Sequence, residues 1–249
     1  METRDMLLVT GGASGIGEGA VRRLSARMRV VIADRDLPRA EKLSAELNAS
    51  GAETYPVEMD VTSGAAIRQT VARISQDIGP IHHLFSNAGI NIRTPVEAIT
   101  PADWAAMMNT HVKGGMMVAQ AVLPRMVADR KGGIVFTSSD FAVVGMTNGV
   151  SYAAAKTALY SLTKSLALEF APYGIRVNAI GPGPIDTPLL RDRPAAEWEA
   201  AQARFMQIVP MKRMGTPAEM GALVDFLLSD RSSYITGQLL HPNGGQVMW

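Results

Sequence analysis

Residues 6–17 read MLLVTGGASGIG, and the glycines in the middle of the stretch divide it into two kinds of structure. Met6 to Thr10 is a short apolar run without polar alternation, the pattern of a strand covered on both faces. Gly11-Gly12-Ala13-Ser14-Gly15-Ile16-Gly17 then turns into a helical pattern that continues to residue 27. Glycines at such a corner let the backbone turn tightly and let a phosphate approach the helix N-terminus, where free N–H groups and the dipole favour negative charge. Strand, glycine corner and helix in that order point to a pyrophosphate site, with a ligand-free tight turn as the alternative.

The same alternation recurs along the chain. RVVIAD precedes a helical pattern at 37–50, TYPVEMD one at 63–78, IHHLFSNAG one at 101–129 and GGIVFTSS one at 151–171. GIRVNAIGPG, an irregular stretch at 184–215, a helix near 217–229 and GQLLHPNGG complete it. Seven apolar runs separated by helices predict one α/β domain over 1–249, with a parallel sheet buried on both faces.

The 249 residues are 47% hydrophobic and 19% charged, enough for one well-packed domain. Net charge is +1 with Lys and Arg dispersed, which leaves no electrostatic footprint for nucleic acid or an anionic membrane surface. Cysteine is absent, so disulfides, thiolate metal sites and a cysteine nucleophile are excluded. METRDMLLVT has no secretory apolar core, and no uncharged apolar run reaches the roughly 18 residues of a membrane span. The expectation is a soluble cytoplasmic protein acting on a small molecule, with no nucleic-acid or membrane partner and no metal.

In such sheets ligands bind beyond the carboxyl ends of the strands. Asp34 closes the second run, where a carboxylate accepts hydrogen bonds from an adenosine ribose diol and repels a 2′-phosphate. That favours NAD over NADP, although the adjacent Arg35 softens the choice and helix capping is the alternative role. Asp60 and Val61 stand where an adenine would lie, and Asn87-Ala88-Gly89 form a close-approach turn; each alone also fits ordinary turn chemistry. His82 and His83 share no carboxylate spacing that would make them metal ligands.

SYAAAKTALY at 151–160 puts Tyr152 and Lys156 on one helix face. Tyr160 and Lys164 repeat that spacing, so spacing alone decides nothing. Tyr152 sits at the helix start, near the strand ends, whereas Tyr160 lies about 12 Å further along the axis. A phenol titrates at about 10, and drawing it toward neutrality takes about 4 kcal/mol. A lysine ammonium about 4 Å away supplies about 4 kcal/mol at an effective dielectric of about 20, while desolvation opposes it and a cationic nicotinamide assists. Ser139, ending the fifth strand, offers a hydroxyl to a substrate oxygen. Asn109, polar within WAAMMNTHVKGGMMV, reads as a relay group or as a side chain bonded at a local kink, and His111 is expected to point elsewhere.

Together, TGGASGIG at 10–17, NAG at 87–89, Asn109, Ser139, Tyr152 with Lys156, IRVNAIGPG at 175–183 and the NGG near the end resemble the short-chain dehydrogenase/reductase family over nearly the whole chain. The resemblance implies a single-domain Rossmann-type, doubly wound seven-stranded sheet with helices on both faces, and a homotetramer, with a dimer as the alternative. It implies reversible hydride transfer between a nicotinamide and an alcohol or carbonyl carbon. Tyr152 would be the general acid/base, Ser139 would orient the reacting oxygen, and Asn109 would anchor a relay water. Lys156 would lower the Tyr152 pKa and hold the nicotinamide ribose. Gly11, Ser14, Gly15, Ile16 and Gly17 would face the cofactor at the glycine corner, and Pro182, Gly183, Ile185 and Thr187 would border the nicotinamide. The chain departs from the family at Ser86, at His241-Pro242-Asn243, and at Asp140, where a small or apolar residue is commoner.

The stretch within about 184–215, where such a fold places a lid, carries Leu189, Leu190, Trp198, Phe205, Met206, Ile208, Val209, Met211 and Met214. An apolar, adaptable wall suggests a cyclic or otherwise hydrophobic secondary alcohol or ketone, with Asp140, Phe141, Met146, Leu189 and Leu190 as substrate contacts. Plain helix packing is the alternative for Phe205, Ile208 and Val209, and Arg93 with Asp140 points toward an acidic or polyhydroxylated substrate instead. Two other functions compete: an NADPH-dependent reductase of 3-oxoacyl thioesters or sugars, which Asp34 opposes, and a non-catalytic NAD-binding sensor or scaffold. A sensor has no need of Tyr152, Lys156, Ser139 and Asn109 together. The apolar end QVMW, finishing at Trp249, is expected to reach a neighbouring subunit if a tetramer forms.

Overall fold

The computed structural model describes residues 4–192 and 194–248. Seven strands, β1 (Met6–Thr10), β2 (Arg29–Asp34), β3 (Thr54–Glu58), β4 (His83–Ser86), β5 (Gly132–Thr137), β6 (Ile175–Ile180) and β7 (Leu239–Leu240), pair in parallel in the order β3-β2-β1-β4-β5-β6-β7. Every residue of β1 and of β5 is buried, which is why their sequences are unbroken runs rather than alternations.

The two sides of the sheet carry separate cores. Met6, Leu8, Val31 and Ala33 face one side, where α3 (Gly64–Asp77), α5 (Gly114–Asp129) and α7 (Val150–Phe170) supply Ile67, Val118 and Leu159. Leu7, Val9, Val30 and Ile32 face the other, against Val21 of α1 (Gly15–Leu24), Leu43 of α2 (Leu37–Ala49) and Val224 of α10 (Pro217–Leu227). This is the period of two expected of strands, with both phases apolar. The chain forms one doubly wound domain. No helix among the described residues is long and apolar enough to cross a membrane.

Three features depart from the sequence expectation. The single helix expected over 101–129 is broken into α4 (Pro101–Met107), a π-helical turn over Met108–Lys113, and α5. At the break the Gly114 N–H meets the Asn109 and His111 carbonyls, and a Cβ on Gly114 would lie 2.8 Å from the Val61 carbonyl oxygen, so only glycine lets the turn close against the loop after β3. A short helix, α6 (Phe141–Val144), comes soon after β5. The stretch taken as irregular holds α8 (Pro188–Arg191) and α9 (Ala195–Ile208).

Candidate active site

A cavity of about 1020 Å³ runs along the carboxyl ends of the strands, with α8 and α9 on one side. It is lined by Gly11, Ser14, Gly15, Ile16, Asp34, Asp60 and Val61 at the ends of β1, β2 and β3, by Asn87, Ala88, Gly89, Pro182, Gly183, Ile185 and Thr187 after β4 and β6, and by Ser139, Tyr152 and Lys156 after β5 and on α7. The fold thus brings together nearly all the site residues expected from the sequence.

The glycine corner fits a dinucleotide. Gly11 has φ +64°, and a Cβ there would stand 2.8 Å from the Ala88 Cα. Ser14 caps α1 in extended conformation without a side-chain bond to the helix, which leaves the first N–H groups open. Gly17 does not line the cavity. A Cβ on it would collide with the Gly11 carbonyl, so its part is to let the helix sit against the loop.

The acid after β2 is fixed in place. Asp34 Oδ2 accepts the Ala13 N–H at 3.0 Å and Oδ1 accepts the Asp36 N–H at 3.1 Å, so the glycine loop and the carboxylate position each other. Asp60 accepts both the N–H and the hydroxyl of Thr62 at 2.8 Å, bonds that hold its carboxyl below the usual range. Asn87 spends its side chain on protein, donating to the Gly11 carbonyl and accepting the Thr137 hydroxyl, each at 3.1 Å.

At the reacting end Ser139 is 4% exposed. Its Oγ accepts the Phe141 N–H at 3.2 Å and lies 3.2 Å from Asp140 Oδ1. Lys156 is buried, donates to the Thr137 carbonyl at 2.7 Å and has its Nζ 5.5 Å from the Tyr152 ring centroid. The decoy pair is closer still, Lys164 Nζ lying 4.4 Å from the Tyr160 ring, yet neither residue lines the cavity.

In the electrostatics of the pair, the opposing desolvation is the larger contribution. Burial pushes the Tyr152 phenol up to about 12, Asp140 adds to the rise, and Ser139 and Arg93 oppose it. Burial brings Lys156 down to about 7. Removing both groups from water outweighs the attraction expected between ammonium and phenolate, so the pair by itself does not activate the phenol. Burial likewise raises Asp140, to about 6.

A family model described as enoyl-(acyl carrier protein) reductase matches residues 11–246. The chain belongs to the short-chain dehydrogenase/reductase family. It is 36% identical to the 3-oxoacyl-(acyl-carrier-protein) reductase of Thermotoga maritima, over 97% of each chain. It is 34% identical to the levodione reductase of Leifsonia aquatica, over 98% of this chain and 94% of that one. The crystal structure of gox2181 superposes with a TM-score of 0.94 at 32% identity, covering 99% of this chain and 97% of that one. Membership makes the protein an oxidoreductase of the alcohol and ketone kind that uses a nicotinamide cofactor.

Within this short-chain dehydrogenase/reductase, Asn109 does not line the cavity and His111 does. His111, expected to point elsewhere, reaches the cavity wall from the π-helical turn, and Asn109 lies at the kink that the same turn makes. The His111 ring packs edge-on against Tyr152 at 5.8 Å, and its Nε2 is 2.8 Å from the Ile90 carbonyl oxygen. Burial holds it neutral, with its pKa down to about 3, and its Nδ1 is buried without a partner. The glycine of NAG answers to this ring too: a Cβ on Gly89 would lie 2.5 Å from a His111 ring carbon.

Leu189, Leu190, Phe205 and Ile208 line the cavity, as do Asp140, Phe141, Met146 and Arg93. Trp198, Met206, Val209, Met211 and Met214 do not; Val209 is buried elsewhere, and Trp198 lies beneath the Arg191 guanidinium at 6.0 Å. His82 and His83 stand by Asp5, away from the cavity. Trp249 lies outside the described residues.

Proposed function

We propose that the protein transfers hydride between NAD(H) and an apolar or cyclic secondary alcohol or ketone. The Asp34 carboxylate carries the cofactor choice: pinned by the Ala13 and Asp36 N–H groups at the cavity wall, it is an acceptor for ribose hydroxyls and a like charge to a 2′-phosphate. The substrate class is supported by Phe141, Met146, Leu189, Leu190 and Phe205 in the wall beyond Ser139.

In this reading Ser139 holds the reacting oxygen and Tyr152 passes a proton to or from it. Lys156, anchored on the Thr137 carbonyl, presents its remaining N–H groups to the cofactor ribose. Gly11, Ser14, Gly15 and Ile16 seat the pyrophosphate, Asp60 and Val61 border the adenine, and Pro182, Gly183, Ile185 and Thr187 border the nicotinamide. A bound oxidised nicotinamide supplies the hydride acceptor and a positive charge that favours the phenolate. The assembly proposed is a cytoplasmic homotetramer; Leu168, Tyr234 and Met248, all strongly exposed, are apolar surface available for contact.

The catalytic efficiency with NADH is expected to exceed that with NADPH by more than tenfold, and Asp34→Ala is expected to shrink the ratio by about tenfold. A tenfold preference for NADPH in the wild type overturns the role given to Asp34. A second reading, reduction of a 3-oxoacyl thioester, is favoured by what the Thermotoga maritima relative is called. Turnover of 3-oxoacyl thioesters at rates above those of simple cyclic ketones would decide for it.

A further inference from the structure

Asp140 stands next to Ser139 just beyond β5, 1% exposed, with its Oδ1 3.2 Å from the serine hydroxyl and its Oδ2 buried without a hydrogen-bond partner. A serine hydroxyl has one hydrogen to give and two lone pairs with which to accept. One lone pair of Ser139 takes the Phe141 N–H at 3.2 Å. What the serine retains for a substrate therefore depends on the direction of its bond to Asp140. An ionised carboxylate only accepts, so Ser139 gives up its hydrogen and keeps a lone pair for the cavity. A neutral carboxyl can donate to Ser139 instead, and the serine hydrogen is then free for a substrate oxygen.

We propose that Asp140 is a positioning residue: by holding or releasing the Ser139 hydrogen it sets whether the site prefers an alcohol oxygen, which can donate, or a carbonyl oxygen, which only accepts. The inference rests on the reading of Ser139 as the ligand of the reacting oxygen. The overall equilibrium belongs to the reactants, so the effect falls on the affinity for each one and not on the net direction.

Burial places the titration of Asp140 at about 6, so the neutral form dominates below that pH and the carboxylate above it. Among the ionisable groups that line the same cavity, Tyr152 feels the Asp140 charge directly, Arg93 acts on Tyr152, and Lys156 acts on His111. Tyr152 and His111 are uncharged across this range, and Arg93 stays cationic. Lys156 titrates close by, at about 7, and substitutions at 140 separate its effect from that of Asp140.

The test measures dissociation constants of two unreactive probes between about pH 5 and about pH 8. Isobutyramide, a carbonyl acceptor, is titrated into the enzyme with reduced cofactor, and trifluoroethanol, a strong hydroxyl donor, into the enzyme with oxidised cofactor. As pH rises through about 6, isobutyramide is expected to weaken by about tenfold and trifluoroethanol to tighten by a similar factor. Asp140→Asn, which keeps the volume, and Asp140→Ala, which keeps no polar atom, should both lose that inflection while still binding cofactor. Flat affinities in the wild type, or an inflection that survives both substitutions, overturn the proposal. If neither probe binds the wild type at any pH, the underlying assignment of Ser139 to the reacting oxygen falls instead.

Discussion

Tyr152→Phe is expected to lower kcat for ketone reduction by about a thousandfold and to leave the affinity for reduced cofactor within about threefold. Only the phenolic oxygen is lost. The ring remains to pack edge-on against His111 at 5.8 Å, and Lys156 keeps its bond to the Thr137 carbonyl, so the cavity retains its shape. Stopped-flow turnover and cofactor fluorescence on the same preparation separate the two quantities. A cofactor-binding sensor would lose nothing measurable, and a variant with wild-type turnover would remove Tyr152 from the chemistry.

The second large effect concerns stability. Lys156→Met is expected to abolish most turnover and yet to raise the melting temperature of the cofactor-free protein at pH 6. The folded-state pKa of Lys156 is about 7, whereas a lysine in the unfolded chain titrates at about 10.4. Between these values the unfolded chain binds more protons, so stability climbs with pH across the window and the full burden of burying the ammonium is present below about 7. Converted directly, the shift corresponds to about 5 kcal/mol, less what is lost with the hydrogen bond to Thr137. The gain should fade as pH approaches about 10.4, where neither state of the wild-type lysine is mostly charged. Thermal denaturation of both proteins at several pH values reads it directly. A variant less stable than wild type at pH 6 would mean that the bond to the Thr137 carbonyl outweighs the buried charge.

The architecture was legible because buried parallel strands leave an unmistakable trace. Met6–Thr10 sends alternate side chains into two different cores, so nearly every position is apolar, and the glycines after it mark the corner where a helix begins. Asp34, Ser139 and Tyr152 were legible for a related reason: each lies close to the carboxyl ends of the strands, where this fold opens its cavity. The Tyr160 and Lys164 pair confirms that helix spacing carries little by itself, since it forms the closer cation and ring contact without reaching the cavity.

The features that escaped the sequence depended on three-dimensional detail. The π-helical turn Met108–Lys113 carries His111 to the cavity wall, and nothing in the local composition announces such a turn. The stretch 184–215 divided in the same way: Phe205 and Ile208 line the cavity while Val209, their neighbour in sequence, is buried elsewhere. For Lys156 and Tyr152 the sign of each contribution was legible but not its weight, because Coulomb attraction can be read from spacing, whereas the desolvation that opposes it depends on how completely the fold encloses the pair.

The most direct measurement is the absorbance of reduced cofactor when NAD+ and the protein are mixed with a panel of cyclic and acyclic secondary alcohols and sugars. The expected result is a steady rise with at least one apolar cyclic alcohol, faster with NAD+ than with NADP+ and absent with the Tyr152→Phe protein. Failure of every alcohol, together with failure of the matching ketones to oxidise reduced cofactor, would contradict hydride transfer at this site.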